Sequence, residues 1–244
     1  MSGSRTQTIV VENFSNQEFL ERYARPGRIG LVGGITLIDK AIRRAQRLVD
    51  DSGRWSAWSH ALVFGERRSD GYQWVLESDL AAARKHIRFG VQENRVSKYF
   101  DEATFGSLAV LDFGLPTEKE QLVIQHGLDL LAGSARYSIR ELFGALLAMR
   151  HPALRERENV LAREQSYFCS AFVRHVYEQA GIELAPGVAL KNTTPEDIAR
   201  TAVPHTAYVL DRPLPVGKLT ALAGGCGGKW ERLKAKGPDR NDPP

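Results

Sequence analysis

Hydrophobic positions along this chain follow two periods, one suited to strands and one to helices. Strand-like runs stand at residues 8–11, 60–65 and 72–76, where Val63, Phe64, Tyr72, Trp74 and Val75 are the β-branched and aromatic types that pleated surfaces favour. Between the last two runs, Glu66-Arg67-Arg68-Ser69-Asp70-Gly71 has turn composition, so the pair predicts a β-hairpin. Residues 108–113 are apolar almost throughout, which predicts a strand in the middle of a sheet, and residues 208–210 predict a last strand.

Helical spacing takes over elsewhere. Ile35, Ile38, Ile42, Ala45 and Val49 predict a surface helix over 35–49, with Arg43, Arg44 and Arg47 on its solvated outside. Pro116-Thr117-Glu118 starts a helix that runs through Leu122, Ile124, Leu128 and Leu131 to Gly133, and residues 138–149 form another. Phe168, Phe172, Val173, Val176, Tyr177 and Ala180 make one apolar stripe that ends at Gly181, where a C-terminal cap belongs. That stripe puts Cys169 in the first turn of its helix.

Composition narrows the class. The chain has 244 residues, 43% hydrophobic and 25% charged, which fits one ordinary globular domain of mixed α+β type. Its longest apolar stretches fall short of the ~18 residues of a membrane span, and residues 1–6 lack the hydrophobic region of a secretory signal, so the expected compartment is the cytoplasm. A net charge of +4 and a pI near 9.1 permit attraction to nucleic acid, cell-wall glycan or a membrane surface without choosing among them. Basic residues are not interleaved with stacking aromatics, so nucleic-acid binding is not expected. The two cysteines, Cys169 and Cys226, make no disulfide framework, and Cys226 lies in a glycine-rich loop, residues 224–228. No metal-ligand cluster is visible and no cofactor is expected. Residues 229–244, rich in Lys, Gly, Pro and Asp, read as a frayed tail.

The candidate chemistry centres on Cys169. A helix start offers unpaired N–H groups and the positive end of the dipole, which favour a thiolate. The thiol needs a base, and His60 opens the first strand of the hairpin, where an imidazole can be held still. A four-residue loop closed by Glu66 and Gly71 sets Glu77 directly across from His60. A tighter turn at Ser69-Asp70 keeps the same face but sets Asp79 across from it, with Glu77 as the diagonal neighbour. Either register brings a carboxylate to the ring; Glu77 is the preferred partner and Asp79 the reserve. Nucleophile, base and orienting acid are the components of acyl-transfer catalysis.

These residues, in the order His, acid, Cys, resemble the permuted NlpC/P60 papain-like enzymes. The likeness rests on Trp58-Ser59-His60-Ala61 at a strand start, Leu76-Glu77-Ser78 after it, and Phe168-Cys169-Ser170 with Phe172-Val173 at a helix start. It covers residues 27–205 and implies a circularly permuted papain-like fold, in which the Cys helix packs against an antiparallel barrel-like sheet. It also implies Cys169, His60 and Glu77 as catalytic residues, with Ser59, Ser170 and Tyr137 near the substrate. Residues 27–34 look like the family's opening Gly-Asp segment without its acid, and Arg136-Tyr137-Ser138 like its Tyr-Asp pair with Ser replacing Asp. On this resemblance, residues 1–26 are an N-terminal extension with a short strand, 27–215 the catalytic domain and 216–244 a flexible tail. The implied activity is hydrolysis of a peptide bond in a peptidoglycan stem or a related small peptide. A wall substrate without an export signal would mean intracellular recycling or delivery by a specialised secretion apparatus. An acyltransferase or lipid thioesterase on the same scaffold is the nearest alternative, resembling the lecithin-retinol acyltransferase group in motif order but lacking its Asn-Cys-Glu-His run. A peptide-binding or amino-acid-binding module without turnover is the other. Oligomeric state is left open.

Overall fold

The computed structural model describes residues 5–49, 53–83, 86–133 and 168–210. They form an α+β fold built on one seven-stranded mixed sheet. The strands are β1 (Gln7–Val11), β2 (Ile29–Gly34), β3 (His60–Arg67), β4 (Gln73–Ala83), β5 (His86–Arg95), β6 (Phe105–Asp112) and β7 (Thr206–Leu210). Their spatial order is β1-β7-β6-β2-β3-β4-β5; β1 runs parallel to β7 and every other neighbouring pair is antiparallel. The helices are α1 (Asn16–Tyr23), α2 (Leu37–Ala45), α3 (Thr117–Ala132), α4 (Cys169–Gln179) and α5 (Pro195–Ala199).

Both faces of the sheet are covered. On one, Ile29, Leu31, Ala61, Val63, Leu76, Ala109 and Leu111 pack against Val123 of α3 and Phe172, Val173, Val176 and Tyr177 of α4. On the other, Val32, Leu62, Phe64, Val75, Leu108 and Val110 meet Phe19 and Leu20 of α1 and Val96 and Tyr99 of a 3-10 turn, Val96–Tyr99. Two-sided burial explains why β6 reads as a continuous apolar run and why Ala61, Leu62, Val63 and Phe64 do not alternate with polar residues. Strand β6 is interior, as its composition predicts.

Helix α4 ends as its sequence predicts. Gly181 adopts φ +77°, its N–H donates to the Glu178 carbonyl at 2.9 Å, and the Ile182 N–H donates to the Tyr177 carbonyl at 2.9 Å, which together make a Schellman cap. Helix α3 also starts after Pro116 and stops at Gly133, but its buried line is Val123 and Gly127 while Leu122 and Leu128 are exposed. The reason is close packing: a Cβ on Gly127 would lie 2.9 Å from Leu76 Cδ1, so the glycine is what lets α3 approach β4.

The segment 35–49 departs further from expectation. Thr36 caps α2 through a capping box with Asp39, so the helix begins at Leu37, and it gives way to a 3-10 turn at Gln46–Leu48. The arginine face is only partly solvated: Arg43 is half-buried, and its Nε donates to the Ser56 carbonyl at 2.8 Å. Gln46 is buried and anchors the segment, its Nε2 donating to the Trp58 carbonyl at 2.7 Å and its Oε1 accepting from the Glu196 N–H at 2.8 Å. Polar contacts thus hold this helix to the body, while Ile35, Leu37 and Ile38 point to solvent. The expected helix over 138–149, Cys226 and the C-terminal tail lie outside the described residues. Among the described residues, no helix is long and apolar enough to cross a membrane.

Candidate active site

The turn between β3 and β4 is the tight one. Gly71, at φ +79°, donates its N–H to the Arg68 carbonyl at 2.9 Å, and a register shift follows between Phe64 and Arg67. Beyond it Val63 pairs with Leu76 and Phe64 with Val75, and the same register carried to the strand's start sets Asp79, not Glu77, across from His60. The directly opposed His60–Glu77 pairing is therefore not adopted. Glu77 is nevertheless the acid that reaches the ring: His60 Nε2 donates to Glu77 Oε2 at 2.7 Å. A diagonal neighbour on the same face lies within reach of a long side chain. Asp79 is instead bound by Lys98 at 2.6 Å.

Glu77 is fully buried, so its charge must be met by partners. Besides His60 it accepts from Asn94 Nδ2 at 2.6 Å, from Lys98 Nζ at 2.7 Å and from the Tyr99 hydroxyl. Burial alone would raise its pKa; the His60 hydrogen bond and the Lys98 charge outweigh it and hold the carboxyl well below the ordinary range. Burial likewise opposes protonation of His60, but the charge of Cys169, a hydrogen bond with Cys169 and the Glu77 contacts together raise its pKa well above 6.5. Lys98 is raised in the same way, burial being overcome by Glu77 and Asp79. Burial, then the Glu77 charge, pushes Tyr99 well above 10, so this hydroxyl stays a donor, and its ring lies stacked toward His60 with centroids 6.3 Å apart.

Cys169 is the first residue of α4, after Phe168 at the cap position, and is 8% exposed. Its backbone N–H is one of the helix-start donors without an intrahelical acceptor by position. With Nε2 of His60 committed to Glu77, Nδ1 is the ring nitrogen left for the thiol. Both residues line a cleft of about 310 Å³, whose walls include Val32, Ile38, Ile42, Phe105, Phe168 and Pro195.

The remaining expected residues divide. Ser59 lines the cleft, but its hydroxyl accepts from the Gly34 N–H at 3.0 Å and donates to the Val32 carbonyl at 3.3 Å, so it fastens β2 to the strand that carries His60. Gly33 permits that close approach: a Cβ there would lie 2.2 Å from the Ala57 carbonyl oxygen. Ser170, expected at the substrate, is fully buried and turns its hydroxyl inward to the Thr193 carbonyl at 2.8 Å. With Arg174, which donates to Thr193 Oγ1 at 3.0 Å, it pins the segment that brings Thr194 and Pro195 to the cleft. Tyr137 lies outside the described residues. Sequence reasoning missed Asn94, Lys98 and Tyr99, which come from β5 and the turn after it. The alternation of Ile87, Phe89 and Val91 was the available signal for that strand.

No protein-family model matches the chain, and no curated protein matches it.

Proposed function

We propose that the protein is a cysteine hydrolase with a permuted NlpC/P60 papain-like fold, cleaving an amide bond in a peptidoglycan stem or a related small peptide. The observation that carries this reading is His60, joined on one side to a buried, ionised Glu77 at 2.7 Å and on the other to Cys169 at a helix start. The His strand β3 precedes the Cys helix α4 in the chain and packs with it, in keeping with the permuted order.

Cys169 Sγ attacks the carbonyl carbon, its proton passing to His60 Nδ1, while the carbonyl electrons move to an oxygen facing the Cys169 N–H. Collapse breaks the C–N bond, and His60 returns its proton to the departing amine, leaving a thioester. Water, deprotonated by His60, then releases the acid and restores the thiol. Glu77 keeps the proton on Nε2 and supports the imidazolium throughout. A second reading, acyl transfer or thioester hydrolysis on an acyl lipid, is favoured by the apolar walls of the cleft.

Incubation with wall fragments, short peptides and acyl lipids, followed by product and intact-mass analysis, tests both. Turnover of one class, lost in Cys169→Ala, is expected. Turnover that persists in Cys169→Ala overturns the proposal, and binding without any turnover marks a non-catalytic module.

A further inference from the structure

Helix α2 leaves part of its apolar surface turned outward. Arg43, and Gln46 just after the helix, make polar contacts to the body, and Ile42 is half-buried in the cleft wall, while Leu37 and Ile38 are exposed. Leu37 is 84% exposed, Ile38 56% and Ile35 50%, and nearby Trp55 is 47% exposed. Among the described residues, three of the seven large exposed hydrophobic side chains thus fall at the start of α2, and a fourth, Trp55, lies beside its Arg44. Around them stand exposed cations: Lys40, Arg44 and Arg47. The Arg44 guanidinium lies 6.0 Å from the Trp55 ring centroid. The only acid of the helix, Asp39, is committed to capping Thr36.

We propose that α2 is an interfacial helix that seats the mouth of the cleft on an anionic lipid surface. An apolar strip rimmed by cations, with a tryptophan at its margin, suits insertion to the depth of the headgroups beneath negative charge. Charge selects this occupant over a second copy of the chain, because a symmetric contact through the same strip would set Lys40, Arg44 and Arg47 against their own equivalents. Ile38 and Ile42 belong both to α2 and to the cleft wall beside Cys169, so docking would hold the cleft open toward the lipid boundary.

Flotation of the full chain with vesicles reads this without turnover, so failure of the hydrolase reading leaves it standing. Equimolar phosphatidylcholine and phosphatidylglycerol vesicles should carry the protein upward, and pure phosphatidylcholine vesicles should carry far less. The Ile35→Asp, Leu37→Asp double variant replaces exposed side chains, and it should melt like wild type and bind about ten-fold more weakly or worse. Lys40→Glu with Arg44→Glu should abolish the preference for anionic vesicles. A blue shift of tryptophan fluorescence on binding should shrink in Trp55→Phe. Absence of flotation on anionic vesicles, equal flotation on both compositions, or undiminished binding by the folded Asp double variant overturns the proposal. So does a dimer in light scattering that the same double variant abolishes.

Discussion

At the scale of single residues, the carboxylate assignment turns on reach rather than register. Asp79 holds the position opposite His60 by count, yet its short side chain is bound by Lys98, and Glu77 crosses the diagonal to Nε2. Glu77→Gln should therefore fold and lose between about ten-fold and ten-thousand-fold in rate, the span between a supporting partner and a mis-set tautomer. Asp79→Asn, which leaves the His60–Glu77 contact in place, should cost less than Glu77→Gln. Steady-state rates on whichever of the wall fragments, short peptides or acyl lipids is turned over, with melts to confirm folding, check the order; the reverse order would transfer the orienting role. A second residue-level expectation concerns His60. Because the charge of Cys169 is, after burial, the leading influence on its pKa, Cys169→Ala should lower that pKa, read from the imidazole C–H signal in an NMR titration. No movement would mean that thiol and ring do not interact.

At the scale of elements, helices and strands differed in how far they could be read from sequence. Helix α4 was legible because its apolar stripe, its cysteine and Gly181 all point the same way. Strands β3 and β6 were legible from composition, but the register between β3 and β4 depended on a shift near Arg67 that no residue type announces. Helix α2 was legible in part: Arg44 and Arg47 are exposed as expected, but Arg43 is half-buried. Periodicity locates an apolar face without saying what it faces, and Gln46 anchors the segment through two hydrogen bonds to backbone groups. Removing that anchor should be felt. Gln46→Ala leaves the Trp58 carbonyl and Glu196 N–H without their partner, a loss of about 1–3 kcal/mol that should lower Tm by roughly 3–10 °C. Thermal denaturation checks it, and an unchanged Tm would show that the anchor carries no weight.

At the scale of the whole molecule, one sheet packs on both faces, and the candidate site lies where β3, β4 and the start of α4 converge. The site's ionisation should leave a mark on global stability. Glu77 is depressed below its ordinary 4.5, so its contribution is present above that value and is lost as pH falls through its lower folded value. His60 is raised above 6.5, so its contribution is complete below that value and is lost as pH rises through its folded pKa. The Tm advantage of wild type over Glu77→Gln should accordingly shrink on acidification below about pH 4.5. An advantage that grows on acidification would contradict the assignment.

The most direct test of the His60–Cys169 pairing is the rate of iodoacetamide labelling at Cys169 near neutral pH, located by peptide mass spectrometry in wild type and His60→Ala. If the imidazole takes the thiol's proton and pairs with the resulting anion, the wild-type rate should exceed that of a folded His60→Ala protein by about ten-fold or more. Equal rates in the two proteins would show that His60 does not activate Cys169, and the hydrolase reading would fall with it.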